Sequence, residues 1–421
     1  MTALARLPLP TILNYAALGY TAAAAALIHL LIARLHGAVG LGVFAQVYAV
    51  YVILAQVAVA GVHDSTQSQV ARLAADGVET IASVRTAVLA AALAASPVAL
   101  LTLLASPLLG RLLGSEQAAH GIALAAPGIA LFACNKVQLA ALVGQGRLAA
   151  YAIGQAARAS LLLGAAALLA ASSGGPASFG AIFTIAEALL FAGLLAHLRW
   201  PAATARAAIG LRQHLSFGAR GLVNSVLAEA FIRIDVLVVS LLLGDREVGI
   251  YAFAALFVEG LYQVPSVLRT LAYRRVVALA CGEDRRGLPA LARILAFRSA
   301  LLTGLSAALL LWLFPPFAQT WFPALAEESV PILRVLVLGM VVHGLAVPLD
   351  QVLLQAGMPG RQSLLQTANL ATVVLLTAAL TAIAGLGGAA WAMAASLALA
   401  VLWLDRACRR WLGLRGGLWL G

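Results

Sequence analysis

The chain is built of long apolar runs separated by short polar segments. A helix satisfies its own backbone hydrogen bonds in lipid and needs about 20 apolar residues to cross a bilayer. We interpret twelve runs as transmembrane helices. They cover residues 12–33, 43–62, 84–105, 121–143, 149–171, 179–198, 220–242, 248–268, 294–314, 331–352, 363–384 and 388–405.

One polar segment between the runs, residues 63–85, has a different pattern. Val70, Leu73, Ala74 and Val78 recur at helical spacing along it. This spacing places the apolar side chains on one face of a helix. It therefore predicts an amphipathic helix that lies at the membrane interface before the third span.

The composition agrees with a polytopic membrane protein. Of the 421 residues, 63% are hydrophobic and 10% are charged, and the mean hydropathy is +0.98. A soluble chain needs more polar surface than this to cover its core. The first apolar run exceeds the length of a signal peptide's apolar region, so we expect it to be an uncleaved span.

The net charge of +11 is distributed unevenly between the two sides of the membrane. With an even number of spans, most loop arginines fall on the side of the termini, and only Arg34, Arg111 and Arg246 fall on the other. The positive-inside rule then predicts that both termini are cytoplasmic and that the basic loops face anionic lipid headgroups. This placement argues against a nucleic-acid partner.

Two segments of the chain repeat one another without gaps, LHGAVGLGVFA at 35–45 and LLGDREVGIYA at 242–252. At a constant offset of 207 residues, the paired positions are Gly37 with Gly244, Gly42 with Gly249, Phe44 with Tyr251 and Ala45 with Ala252. Glycine at these positions is typical of a turn or hinge.

Each copy of this repeat follows an odd-numbered span, so the two halves have the same orientation in the membrane. We predict an all-α protein of about twelve transmembrane helices, in two parallel six-helix lobes around a central cavity. The expected N-lobe is 1–198, the basic cytoplasmic linker is 199–219, and the C-lobe with a basic tail is 220–421. LVGQGR at 142–147 and LLQAGMPGR at 353–361 are either a second trace of the repeat or ordinary tight turns.

Several charges fall inside the predicted spans. Each costs at least about 2.5–3.5 kcal/mol near the bilayer centre and so should face a partner or a wet cavity. Lys136, the one lysine in the chain, either lines a cavity or extends to the cytoplasmic interface. For Arg158 we favour the interfacial position, with the cavity as the alternative.

The stretch EAFIRID in span 7 holds three more charges. Glu229 and Arg233 are four residues apart and share a helix face, whereas Asp235 points nearly the opposite way. Arg233 could pair with Glu229 or with Glu259 of the next span. These contacts either fix helix packing or, if they open, release a cation to a ligand. Asp235 is expected to hold span 7 against its neighbours.

The repeated turns, the run IRIDVLVVSLLLG and the Gly-Arg turns after spans 4 and 10 resemble the polysaccharide transporter family. These are O-antigen flippases of the multidrug/oligosaccharidyl-lipid/polysaccharide exporter (MOP) superfamily. The resemblance implies export of a polyprenyl-diphosphate-linked O-antigen or exopolysaccharide repeat unit across the bacterial inner membrane, by alternating access. Asp235 matches the aspartate typical of the family's span 7. Related members with fourteen spans differ from this chain.

In this reading, the cavity cations Lys136, Arg233 and Arg158 bind the diphosphate or sugar. The carboxylates form a charge network or bind a coupling proton or sodium ion; they are Glu229, Glu259, Asp235 and Glu187. Arginine matches phosphate with two hydrogen bonds, and lysine acts as a point charge.

Two other functions fit parts of the pattern. A cation-coupled multidrug exporter of the same superfamily would use the carboxylates instead. A membrane glycan polymerase or acyltransferase is disfavoured, because the loops opposite the termini are short and nearly uncharged. No nucleotide-binding G-x4-G-K-[ST] motif occurs, and Cys134, Cys281 and Cys408 lie far apart. We therefore expect no enzyme activity, cofactor or metal site.

Overall fold

The computed structural model of the protein describes residues 9–172, 174–198, 209–282, 287–414 and 417–418. Every regular element in these residues is a helix. The helices of the first half are α1 (Leu9–Val59), α2 (Val62–Ala75), α3 (Ile81–Leu112), α4 (Glu116–Gly144), α5 (Leu148–Ala170) and α6 (Ala181–Leu198). A 3₁₀ turn, Pro176–Gly180, precedes α6.

The second half begins with α7 (Leu211–Leu242). The helices that follow are α8 (Asp245–Cys281), α9 (Gly287–Trp321), α10 (Pro323–His343), the short α11 (Val352–Gln355) and α12 (Pro359–Leu412). Another 3₁₀ turn, Val347–Leu349, separates α10 from α11.

Eight helices in the described residues are long and apolar enough to cross a membrane, or nine if α10 and α11 form one bent span. Two of the eight are helix pairs joined at a kink, at Gly37 in α1 and at Ala384–Gly385 in α12. α7 lies outside this count and carries the three charges of EAFIRID. A helix or half-helix thus occupies each of the twelve predicted spans, and the prediction of an all-α polytopic protein is confirmed.

The amphipathic helix predicted over 63–85 is only partly present. Of its predicted apolar face, Ala74 and Val78 are exposed, and Val78 lies beyond the end of the observed helix α2. In α2, Val62 and Val70 are buried, whereas Gln67 and Arg72 are exposed. α2 packs mainly against α4.

The residues between the predicted spans 248–268 and 294–314 are largely helical, so these two helices are longer than predicted. α8 continues to Cys281 and α9 begins at Gly287. Alanine, leucine and arginine are good helix formers, and no glycine or proline interrupts α8 between Pro265 and Gly282.

The chain divides into two compact units. Unit 1 contains Met1–His36 and Val43–Glu229, and unit 2 contains Gly37–Gly42 and Ala230–Gly421. In unit 1, α4 packs against α2, α3, α5 and α6; in unit 2, α10 packs against α8, α9 and α12. The division into 1–198, 199–219 and 220–421 stays a prediction, and part of its linker, 199–208, lies outside the described residues.

In unit 2 the glycines of the repeat meet at a helix crossing. A Cβ on Gly42 would lie 1.8 Å from the carbonyl oxygen of Asp245, and a Cβ on Gly249 would lie 1.8 Å from that of Ala38. Since Ala38 and Asp245 are themselves one repeat offset apart, the contact is reciprocal. Only glycine lets the two backbones approach this closely.

The weaker similarity between the turns after α4 and α11 is also structural. Gly146 and Gly357 have φ of 72° and 74°. Each turn has the same two hydrogen bonds, Gly146 N–H to the Val143 carbonyl and Arg147 N–H to Leu142, against Gly357 to Leu354 and Met358 to Leu353. These are Schellman turns, which need a residue in the left-handed region and so favour glycine.

Candidate functional site

The side chain of Thr184 on α6 is inserted between two backbone groups of α4. Pro127 lies inside the helix. Next to it, the hydroxyl of Thr184 on α6 donates to the Leu124 carbonyl at 2.7 Å and accepts from the Gly128 N–H at 3.0 Å. These two backbone groups would bond to each other in an unbroken helix. The insertion therefore ties α4 to α6 about two turns before Lys136.

Arg158 and Glu187 form an ion pair inside unit 1. The guanidinium Nε lies 2.6 Å from Glu187 Oε1, and the glutamate side chain is fully buried. Asn135 donates to Glu187 Oε2 at 2.8 Å, and the Tyr51 hydroxyl lies 3.5 Å from Oε1. The interfacial interpretation of Arg158 is wrong, because a buried carboxylate gives its charge a partner within the unit.

Lys136 has a neutral hydrogen-bond partner. Its amino group donates to Gln56 Oε1 at 2.6 Å and lies 5.5 Å from the centre of the Phe132 ring. No ion pair of Lys136 is found within the described part of the chain. Its positive charge is thus held by an amide and an aromatic face rather than by a carboxylate in contact.

These side chains line a cavity of about 250 Å³ in unit 1. Its charged and amide side chains are Lys136, Arg158, Gln56 and Glu229, and its aromatic side chains are Phe44, Tyr48, Tyr51, Phe132 and Phe183. The structure thus brings together two of the three predicted cations, Lys136 and Arg158, with the carboxylate Glu229.

Stacked rings form one wall of this cavity. The Tyr51 and Phe183 rings have centroids 4.2 Å apart, and Tyr48 stacks on Phe183 at 5.8 Å. The Arg158 guanidinium lies 4.8 Å from the Phe132 centroid. Aromatic faces suit both apolar groups and the C–H faces of sugars, whereas the cations suit anions.

A second cavity of about 270 Å³ lies next to the first, toward the C-terminal end of α4. Its lining includes His63, Gln67 and Gln155 together with Lys136 and Arg158. Burial, and secondly the charge of Lys136, lowers the pKa of His63 to about 3, so this imidazole is neutral at pH 7.

Unit 2 places its own charges on α7 and α8. Arg233 binds Glu259 with two hydrogen bonds of 3.1 Å, and the glutamate side chain is 38% exposed. Of the two partners that spacing allowed, the structure selects the carboxylate on the neighbouring helix. Glu229 belongs to unit 1, and the third predicted cation, Arg233, is not among the side chains of the unit 1 cavity.

Asp235 is buried and accepts a hydrogen bond of 2.6 Å from the Tyr251 hydroxyl. Tyr251 lies on α8 and is the repeat partner of Phe44. The contact joins α7 to α8, which agrees with a packing role for Asp235.

Unit 2 contains a further ion pair, Arg269 with Asp350, that was not predicted from the sequence. Arg269 donates to Asp350 Oδ2 at 2.6 Å and to the Tyr262 hydroxyl at 3.2 Å. Asp350 lies at the break between α10 and α11, and Gln362 donates to its backbone carbonyl at 2.8 Å. Pro348 and Asp350 inside one apolar run were a signal for a break and a buried charge there. Arg269 lies just outside the predicted span 248–268, so the charges inside the predicted spans did not indicate this pair.

Part of the chain matches a known protein family. Residues 92–268 match the family described as "Polysaccharide biosynthesis protein". This match covers less than half of the chain, from α3 into α8. No curated protein matches the chain.

Solved structures match over nearly the whole chain. The lipid II flippase MurJ in an inward closed conformation is 14% identical, with a TM-score of 0.76 over 94% of this chain and 87% of that one. An inward-facing multidrug resistance MATE transporter of the MOP superfamily is 14% identical, with a TM-score of 0.73 over 94% and 95%. A MOP superfamily transporter from Pyrococcus furiosus is 13% identical, with a TM-score of 0.63 over 98% and 96%.

At these identities the likeness shows the fold, which is that of MOP superfamily transporters. Together with the match at residues 92–268, it confirms the resemblance to the polysaccharide transporter family within that superfamily.

Proposed function

We propose that this protein is a flippase that moves a polyprenyl-diphosphate-linked oligosaccharide from the cytoplasmic to the periplasmic leaflet. The fold and the family match make a membrane transporter, rather than an enzyme, the starting point. The observation that carries the proposal is that two cations, Lys136 and Arg158, line one cavity of unit 1 whose wall is aromatic.

The two cations contribute differently to an anion site. Arg158 is balanced by the buried Glu187, so it adds hydrogen-bond donors but little net charge. Lys136 is bound to the neutral amide of Gln56. A phosphate oxygen that replaces this amide exchanges a neutral partner for a charged one, and charge-assisted hydrogen bonds are about twice as strong as neutral ones.

Glu229 gives this site a means of coupling to an ion. Its carboxylate lines the same cavity as Lys136 and opposes the entry of an anion. A proton or sodium ion bound at Glu229 cancels this charge and leaves Lys136 to attract the diphosphate. The carboxylates Asp235 and Glu259 in unit 2 are further candidates for binding this ion, and an ion at Glu259 would release Arg233 to bind the diphosphate.

A cation-coupled multidrug exporter is the second candidate, because a MATE transporter shares the fold and carboxylates occur in the site. The pairing of Glu187 with Arg158 weakens it, since this carboxylate is already neutralised. In the Pyrococcus furiosus transporter, a reverse polarity of the binding pocket suggests a different function for that protein. The charge of the pocket is therefore an informative property to test here.

Transport by purified protein in lipid vesicles tests the proposal. The substrate is a fluorescent polyprenyl diphosphate-linked sugar, whose flipping exposes it to a membrane-impermeant quencher. We expect Lys136→Gln to lower the flipping rate at least tenfold, and the matched control Lys136→Arg to retain most of it. If Lys136→Gln flips the lipid at the wild-type rate, the cationic-site mechanism is wrong. Transport of an organic cation without the lipid would favour the exporter.

The location of the protein is part of the same proposal. We place it in the bacterial inner membrane with both termini and the linker 199–219 in the cytoplasm, between lobes 1–198 and 220–421, and with the basic loops against anionic lipids. A reporter that is active only in the periplasm, fused after Gly421, should be inactive. The same reporter inserted after Gly114, in the turn between α3 and α4, should be active.

A further inference from the structure

The two cavities of unit 1 meet at three side chains. Phe132, Lys136 and Arg158 line both the cavity of about 250 Å³ and the one of about 270 Å³. Each space is smaller than the roughly 300–1,000 Å³ of pockets for drug-sized ligands. One headgroup fits in either space, whereas a lipid-linked oligosaccharide exceeds both.

The second cavity has a polar lining that the proposed function does not yet use. Its side chains include His63, Gln67, Tyr151 and Gln155. Two buried atoms there, His63 Nδ1 and Asn135 Oδ1, have no hydrogen-bond partner among the described residues. Buried polar atoms are normally paired, so a ligand or water with donors and acceptors fits this space.

The second cavity lies at the end of unit 1 that carries α2. Gln67 on α2 is exposed, and the backbone of α2 at this residue packs against Gly144 at the end of α4. This is the end that the arginine distribution predicts to be cytoplasmic. A ligand that enters there reaches the polar cavity before the aromatic one.

Phe132 lies at the boundary of the two cavities, close to both cations. The Lys136 amino group is 5.5 Å and the Arg158 guanidinium 4.8 Å from its ring centre. Both cations hold the ring by cation–π attraction. An anion that draws Lys136 away from the ring removes part of this attraction, so arrival of the ligand and movement of the ring are linked.

Resting on the proposed function, we infer that the polar cavity is a separate entry site for the diphosphate group, and that Phe132 is the movable divider between it and the aromatic cavity. The Tyr151 hydroxyl and the Gln155 amide donate to the phosphates first, and Lys136 then moves with the phosphates past the ring. The aromatic cavity beyond receives the sugar that follows.

Cysteine accessibility tests this inference without any transport. In a background of Cys134→Ala, Cys281→Ser and Cys408→Ala, single variants Gln67→Cys and Val52→Cys report on the polar and aromatic cavities. An anionic methanethiosulfonate is added to the α2 side of vesicles. With Phe132 present, we expect Gln67→Cys to react quickly and Val52→Cys slowly. Phe132→Ala should accelerate Val52→Cys at least tenfold and leave Gln67→Cys unchanged.

Inorganic pyrophosphate tests the ligand. It should slow the reaction of Gln67→Cys severalfold, and Lys136→Gln should abolish this protection. Phe132→Leu, which keeps the bulk of the side chain, guards against misfolding and should give an intermediate rate at Val52→Cys.

An unchanged rate at Val52→Cys in both Phe132 variants would overturn the divider, and absence of pyrophosphate protection would overturn the entry site. If both effects occur but the lipid is not flipped, the entry site stands and the proposed function fails.

Discussion

Units 1 and 2 each hold an arginine–glutamate pair, but the two pairs lie in different surroundings. Arg158–Glu187 has a fully buried carboxylate and adjoins Lys136 and the aromatic cavity. In Arg233–Glu259 the carboxylate is 38% exposed. Both halves of the chain contain a glycine of the Gly42–Gly249 contact and a Schellman turn with a glycine of positive φ. The buried charges, in contrast, differ between the halves. The repeat therefore preserves a scaffold, and the charged chemistry belongs to each unit separately.

The largest difference should appear when one partner of each pair is removed. Glu187→Ala leaves the Arg158 charge buried without its carboxylate, which costs about 3–5 kcal/mol of unfolding free energy. The double variant Glu187→Leu with Arg158→Leu removes both charges and should cost less. Thermal unfolding of the purified protein in detergent measures both. A double variant less stable than Glu187→Ala would contradict the account of this pair.

The reciprocal glycine contact should give equal effects in the two copies of the repeat. Gly42→Ala and Gly249→Ala each place a methyl group 1.8 Å from a carbonyl oxygen, so the backbones must separate. We expect a loss of about 3 kcal/mol for each, the upper part of the usual range for overpacking. The measurement is the unfolding temperature, compared with Gly164→Ala, where a Cβ meets nothing within 4 Å. A large loss of stability at only one of the two positions would show that the contact is not equivalent in the two copies of the repeat.

The first glycines of the repeat should behave differently from each other. Gly37 has φ 63° and ψ −157°, a region that is essentially restricted to glycine, so Gly37→Ala should cost about 1–3 kcal/mol. Gly244 has φ −83°, which alanine adopts freely, and Gly244→Ala should be nearly neutral. Unfolding temperatures of the two variants, measured side by side, decide this. Equal losses would show that the two turns are not distinguished by backbone strain.

The smallest effect is expected at the more open pair. Arg233→Gln should cost about 1 kcal/mol or less, because a partly exposed ion pair contributes little. Raising the salt concentration should reduce this loss further. If Arg233→Gln destabilises the protein as much as Glu187→Ala, the two pairs are energetically alike and the contrast between the units fails.

The helices were predictable because a bilayer demands one simple feature, a long apolar run. Their continuations were not. α8 extends through Arg269, since arginine does not end a helix, and the break between α10 and α11 falls inside the predicted span 331–352. The kink at Ala384–Gly385, in contrast, falls at the boundary between the predicted spans 363–384 and 388–405.

Those features of the site that depend on spacing along a single helix were predictable. Spacing along one helix separated Asp235 from Arg233 and limited the partners of Arg233 to two. The rotation of one helix against another cannot be read from spacing, so Glu187 was not recognised as the partner of Arg158. Gln56 gave no signal, because a neutral amide in an apolar run has no evident charge to match.

The contact between Gly42 and Gly249 also limits how the two copies of the repeat can diverge over time. A new side chain at either position meets the main chain of the other copy, not a side chain. A clash between side chains can be relieved by a smaller residue opposite, but no second substitution removes a carbonyl oxygen. A substitution of one of the surrounding charged residues can therefore be compensated by a second substitution, whereas a substitution of Gly42 or Gly249 cannot.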